Sequence, residues 1–299
     1  MFDFKREFEF IRHRRLYYII SALIIVITIG GGLIQGFNFG IDFTGGTMMQ
    51  IDMGKEVPVS EIKKIINDND ITADIVHAGE GNREIILRTT QSLDSSMRNA
   101  LLEDLGAQYG ITQDNVLAAE QFGPSVGDLL KKNAVRAVLI AVMFMLIYIA
   151  VRFEWKFGIA AVIALIHDLL VLIGFYGLFQ IPINNPFIAS VLVILGYSIN
   201  DTIVVFDRIR ENLKIMKKSR LDELIDKSMN QTLVRSTVTS LTTILAIFIL
   251  FILGGDTIKQ FTLPLIVGIL SGTYSSIFIA SPVWYQINKF LDKPKYKGK

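Results

Sequence analysis

The sequence predicts a polytopic α-helical membrane protein with six transmembrane helices and one α+β domain placed between the first and second spans. Two observations carry that fold class. Of the 299 residues, 51% are hydrophobic and the mean hydropathy is positive, both too high for an ordinary soluble chain of this length. The charged residues are also segregated: polar blocks alternate with apolar runs of about twenty residues, the length a tilted helix needs to cross a bilayer.

Residues 1–15 carry Arg12, Arg14 and Arg15 ahead of the first span, 16–35. That charged start resembles a signal peptide, but the apolar region is long and no small-x-small cleavage site stands out, so it reads as a retained anchor. Gly30-Gly-Gly32 is expected to loosen its outer end. The block 36–130 follows, with fifteen Asp/Glu against six Lys/Arg from Phe37 onward. It opens with a strand over 39–53. A helix starting near Ser60, a plausible N-cap, carries Ile62, Ile65 and Ile66 on one face. A strand over 71–78 and another over 84–90 flank Gly79-Glu-Gly81-Asn82, which reads as a hairpin turn. A helix over 94–109 has Met97, Leu101, Leu102 and Leu105 as its stripe, and a last strand covers 116–122. The order βαββαβ predicts a ferredoxin-like unit, a fold that hosts many functions and decides none by itself.

The region 131–287 holds the remaining spans, at about 134–151, 157–178, 186–206, 237–253 and 261–287. Arg152 and Lys156, the basic amphipathic connector 207–234, and Lys289, Lys293, Lys295, Lys297 and Lys299 in the tail 288–299 all fall on one side. The loops 180–185 and 254–259 are short and nearly uncharged. The positive-inside rule therefore predicts cytoplasmic termini and an extracytoplasmic acidic domain. Lys131, Lys132 and Arg136 break the rule, but they follow a large exported block, where loop charge counts for less. Ile209, Leu213, Met216, Leu221, Leu224, Ile225 and Met229 recur at roughly helical spacing, so the connector reads as one or two surface helices.

Several classes drop out. With no Cys and three scattered His there is no thiolate metal site and no disulfide framework. No Gly-rich phosphate loop ends in Lys and Ser or Thr, which argues against ATP hydrolysis. The basic residues sit in short loops beside spans, so nothing points to nucleic acid.

Chemistry is expected where charge enters the membrane. Asp201 lies in the fourth span, where an ionised carboxylate needs a partner or water. Asn200 is adjacent, and Ser198 could line the same polar face. Arg235, just before the fifth apolar run, stays charged and could hold Asp201 ionised; the competing reading is an interfacial Arg snorkelling to headgroups. Thr239, Thr242 and Thr243 extend a polar stripe from it. His167 and Asp168 sit midway in the third span; adjacent on a helix, they point about 100° apart, and Asp168 could instead accept hydrogen bonds from a neighbouring span. Gly268-Ile-Leu-Ser-Gly272 signals close helix packing in the sixth span.

Phe37-Asn-Phe-Gly-Ile-Asp-Phe-Thr-Gly-Gly-Thr47, Phe122-Gly-Pro-Ser-Val-Gly127 and Gly196-Tyr-Ser-Ile-Asn-Asp-Thr-Ile-Val-Val-Phe-Asp-Arg-Ile-Arg-Glu-Asn212 resemble signatures of the SecD/SecF family of protein-export membrane proteins, within the resistance-nodulation-division superfamily. So do Asn230-Gln-Thr-Leu-Val-Arg-Ser236 and Gly272-Thr-Tyr-Ser-Ser-Ile-Phe-Ile-Ala280. The resemblance implies a non-enzymatic subunit in the bacterial cytoplasmic membrane that pairs with SecD, meets the SecYEG channel, YajC and YidC, and uses the proton-motive force to assist preprotein translocation. It implies no cofactor beyond the proton, and it assigns proton passage to Asp201 and Arg235, with Asp168 as a further candidate; Asn200 joins the candidate proton pathway through its place beside Asp201. Half of a proton-driven exporter of small molecules or lipids is the alternative.

Overall fold

A computed structural model describes residues 8–216 and 220–291. The connector lysines Lys217 and Lys218 and the tail lysines Lys293, Lys295, Lys297 and Lys299 lie outside the described residues. Six helices are long and apolar enough to cross a membrane: α1 (Arg14–Gln35), α5 (Pro124–Arg152), α6 (Trp155–Leu178), α7 (Asn185–Ile215), α8 (Leu221–Leu253) and the run Asp256–Leu291. The last is made of α9 (Asp256–Ser275), a π-helical turn (Ser276–Ala280) and α10 (Ser281–Leu291). Segment 207–234 is formed by the end of α7 and the start of α8, both continuous with the membrane helices.

The spans divide into two sets. About half or more of the apolar windows of α6, α7 and the Asp256–Leu291 run is buried (56%, 50% and 61%), against 17%, 6% and 11% for α1, α5 and α8. The first set is therefore the centre of the bundle and the second its periphery. Leu139, Phe144, Ile147 and Val151 of α5, and Leu241, Leu245, Ile249 and Leu253 of α8, point outward. Apolar faces of that extent suit contact with lipid or another membrane helix rather than water.

Close approach rests on small residues. Gly32 of α1 lies against Gly177 of α6, where an added Cβ would come to 3.0 Å from the opposing Cα. The triple glycine expected to loosen the first span thus supplies a packing point. Gly268 and Gly272 of α9 seat Ile194 and Ser198 of α7, so the GxxxG signal is satisfied within this chain.

The sheet-bearing end carries four antiparallel strands, β1 (Gly46–Asp52), β2 (Asp74–Ala78), β3 (Glu84–Thr89) and β4 (Val116–Phe122), in the order β2-β3-β1-β4. Helices α3 (Val59–Asp68) and α4 (Ser95–Tyr109) cover one face. Met49, Ile51, Ile85 and Leu87 pack there on Ile62, Ile66, Leu101 and Leu105. This core is separate from that of the bundle. Asp94 caps α4 by accepting from the Met97 N–H at 2.9 Å. Ser60 is not a cap: α3 begins at Val59 behind Pro58, whose fixed φ serves a helix start without a side-chain bond.

The first strand begins later than the alternation predicts. Ile41–Thr44 form a single helical turn, α2, and Phe39 pairs instead with Ile183 in the α6–α7 loop. Asp42 accepts from the Asn185 N–H at 2.8 Å, which favours the turn over extended chain. Gly45 and Gly46 then reverse into β1 with φ of +81° and +144°, and a side chain at Gly46 would strike the Thr89 carbonyl. That pair is needed for the chain to enter the middle of the sheet.

Candidate functional site

Two carboxylates are buried inside the bundle, Asp168 at 1% exposure and Asp201 at 3%, and their surroundings differ. Asp168 of α6 is ringed by donors from three helices. Its Oδ2 accepts from Ser198 of α7 at 2.6 Å and Ser275 of α9 at 2.8 Å. Its Oδ1 accepts from Ser271 of α9 at 2.8 Å and lies 3.1 Å from His167 Nδ1. Three serine hydroxyls donate to the carboxyl and the His167 ring makes a fourth polar contact, so both of its oxygens are fully occupied. The His167 ring bends back onto its neighbour despite the 100° between their helix positions, and stacks on Tyr274. Its Nε2 is buried with no partner.

Asp201 of α7 has one side-chain donor among the described residues: Ser240 of α8, at 3.2 Å from Oδ2. Ser240 in turn accepts from Thr273 of α9 at 2.7 Å. Asp201 therefore sits where α7, α8 and α9 meet, on a chain of hydroxyls. Ser236, one turn before Ser240 on α8, is buried with its hydroxyl unpartnered. Thr202, next to Asp201, shares a hydrogen bond of 2.8 Å with Ser276 in the π-helical turn. Such turns interrupt the regular ladder and recur at functional sites.

Arg235 lies on the exposed side of α8, within electrostatic reach of Asp201 and without a direct bond to it. Asn200 is not on the face of Asp201. It is exposed in a groove of about 400 Å³ between α5 and α7, with Phe144, Met145 and Tyr148. Ser198 serves Asp168 rather than Asp201. The structure thus brings Asp168 together with Ser198, places Asp201 near Arg235, and sets Asn200 apart.

The expected threonine stripe of α8 is split: Thr243 is half-buried and accepts from the Tyr197 hydroxyl of α7 at 3.3 Å, whereas the other two face outward. Thr239 and Thr242 are exposed and, with Thr243, donate back to carbonyls of their own helix. The buried polar residues of α8 are Ser228, Thr232, Ser236 and Ser240, all four of which sequence reasoning passed over although they are spaced i, i+4 along one face. Ser271 and Ser275 have the same spacing on α9 and were missed as partners of Asp168.

Among the described residues no group of acidic and His side chains could hold a metal ion. At the opposite end of the bundle the start of α8 is fastened twice. Asp226 accepts from the Ile11 N–H at 2.9 Å, and Asn230 both accepts from and donates to the Phe8 backbone. Phe10 and Ile11 are buried in the bundle core, so this leading segment is a strap across the helix ends.

Comparison with known proteins agrees over nearly the whole chain. Residues 103–290 match the family described as "Protein export membrane protein SecD/SecF, C-terminal", and residues 32–57, which contain Gly45 and Gly46, match the "SecD/SecF GG Motif". The protein translocase subunit SecF of Sebaldella termitidis is 41% identical over 295 residues, 97% of this chain and 94% of that protein. The SecF subunit of Haemophilus influenzae is 37% identical, covering 93% and 86%. The protein translocase subunit SecDF of Thermus thermophilus is 38% identical over 88% of this chain and 36% of its own. The crystal structure of SecDF from Thermus thermophilus, titled a translocon-associated membrane protein, superposes with a TM-score of 0.83 at 37% identity. SecDF in its super-membrane-facing form gives 0.73 at 36%. In both, 97% of this chain is covered and 40% of the longer SecDF chain. The chain belongs to the SecD/SecF family of protein-export membrane proteins.

Proposed function

We propose that this chain is the SecF subunit of an accessory complex of the Sec translocase, and that it uses proton movement through the bundle to assist export of preproteins. It is a transport component, not an enzyme, and needs no cofactor beyond the proton. The observation that carries the reading is Asp201, buried at the meeting of three helices, with a single hydroxyl donor and a cation nearby that does not touch it. A carboxylate so sparsely held can gain and lose a proton with little else to break.

In this reading the state described is the one in which Arg235 stands off. Deprotonation of Asp201 draws Arg235 inward, and protonation releases it. Ser240 and Ser236 give the proton a hydroxyl route along the inner face of α8. Asp168, already saturated with donors, holds α6, α7 and α9 in register around the moving pair, and Asn200 lies off the route. The strand order β2-β3-β1-β4 with two helices on one face supports a ferredoxin-like domain, placed outside the cytoplasm of a bacterial inner membrane with both termini inside.

SecD is the partner expected along the apolar outer faces of α5 and α8, since SecDF relatives carry this region within a longer single chain. SecYEG, YajC, YidC and the emerging preprotein are the remaining proposed partners. The test is proton flux into vesicles holding this chain with SecD. Asp201→Asn should abolish flux while the complex still assembles. Flux equal to wild type would remove Asp201 from the path and leave the chain a scaffold.

A further inference from the structure

The sheet meets the bundle at two places. One is the chain's own entry, where Asn38 and Gly40 exchange backbone bonds with Ile183. The other joins residues far apart in sequence. On β2, an edge strand, the His77 N–H points off the free edge and donates to Asp256 Oδ2 at 3.1 Å. Lys259 holds the other oxygen of Asp256 at 2.9 Å. From β3, Arg88 donates to Gln260 Oε1 at 2.9 Å. The same oxygen accepts from Asn184 at 3.0 Å, and Asn184 is the residue that caps α7.

Asp256 opens α9 and Gln260 lies one turn on, on the same face. Further along, the same helix carries Thr273, which reaches Asp201 through Ser240, as well as Ser271 and Ser275, which hold Asp168. Asp256 and Thr273 are about 25 Å apart at 1.5 Å per residue. Gly268 and Gly272 press the intervening helix onto α7. Pro264 removes one backbone hydrogen bond midway, and Ser190 of α7 steadies that region by donating to the Phe261 carbonyl at 2.9 Å. Close-packed elements shift as units rather than deform continuously. An axial or rotational displacement of α9 at Thr273 therefore reaches its first turn. The junction beside it is a cleft of about 360 Å³ lined by Asp42, Asp74, Arg88 and Asn184, which leaves the sheet room to tilt.

We infer that the start of α9 is the joint that couples the buried carboxylates to the exported domain, with Asp256 and Gln260 as its positioning residues. The inference rests on the proton-driven reading above and adds where the motion leaves the membrane. In this arrangement α1 and α5 tether the sheet, whereas α9 steers it.

The absence of Cys makes the test direct. Spin labels at Glu120→Cys on β4 and Leu253→Cys at the end of α8 report the tilt of the sheet in the full chain, reconstituted with SecD. Asp201→Asn should shift that distance. In an Asp256→Ala/Gln260→Ala background the shift should vanish, while proton flux of the Asp201 form persists and export assistance is lost. Asp256→Asn with Gln260 intact keeps one oxygen for the His77 N–H and the Gln260 acceptor for Arg88, and should restore the shift. A shift that survives the double alanine change, or no shift in its absence, overturns the joint. Loss of flux in the double alanine form also overturns it, because the turn would then belong to the proton path. Unchanged flux in Asp201→Asn defeats the proton reading instead, and the two failures are told apart.

Discussion

Asp168 and Asp201 lie in neighbouring spans at comparable burial, and both read in the sequence as membrane carboxylates in search of a partner. Asp168 gathers three serines and a histidine from three elements, whereas Asp201 holds one serine and keeps its cation at a distance. Burial alone does not make a carboxylate a switch; the number of donors that must be broken to change its charge does. By that measure Asp168 is the more firmly fastened of the two, and the proposed switch falls on Asp201.

The sharpest way to break this contrast is to remove each carboxyl in turn. Asp168→Ala leaves three serine hydroxyls and the His167 ring facing a void and should destabilise the bundle by about 1–3 kcal/mol for each group left unsatisfied. Thermal unfolding in detergent reads this, and a stability equal to wild type would mean Asp168 fastens nothing. Asp201→Asn keeps the shape and one acceptor, so its unfolding temperature should stay near wild type while flux is lost.

Smaller changes sharpen the comparison. Ser275→Ala removes one donor from a buried carboxyl that keeps its other partners and should cost about 0.5–1.5 kcal/mol. Ser240→Ala should slow flux with less effect on stability, since Asp201 has one side-chain donor among the described residues and the proposal has it change partners. The reverse pattern in unfolding and flux assays would exchange the two roles.

The strap gives a pH test away from the membrane interior. Burial pushes Asp226 up to about 6, against the lowering effect of the Ile11 and Phe10 N–H groups, with Asp222 and Glu9 adding repulsion. A carboxyl whose folded value lies above its unfolded one stabilises the docked form at acid pH. That contribution fades as pH rises through about 6. Hydrogen exchange at Phe10 and Ile11 should therefore show more protection at pH 5 than at pH 7.5 relative to Asp226→Asn, and an identical profile in both forms would refute the linkage. The smallest effect belongs to Asn200→Ala, within about 0.5 kcal/mol, as for substitutions away from structural contacts. Flux through this variant should match wild type.

Much of this was legible in advance because hydropathy and turn chemistry are local. The six apolar runs became six helices, and Gly79 and Gly81 took the positive φ their turn needs. Asp201 and Asp168 announced themselves because charge in a span is rare. What stayed hidden was which way each helix faces. A hydroxyl that donates to its own helix and one that reaches across look alike in sequence, as Thr239 and Ser240 do. The turn at Ile41–Thr44 was also hidden, since it depends on Asn185, far along the chain.

The strap has a further consequence for how the protein is made. The Ile11 amide and the Asp226 carboxylate that receives it are 215 residues apart. At roughly 5–20 residues per second, synthesis separates them by about 10–40 s. For that interval Phe10 and Ile11, buried in the finished protein, have no seat, and α1 can settle against α6 well before its leading segment is closed over. Docking of the strap is therefore a late checkpoint on assembly: it can occur only once the fifth span has begun to emerge, and a chain truncated before Asp226 would leave that apolar stretch open to chaperones and proteases.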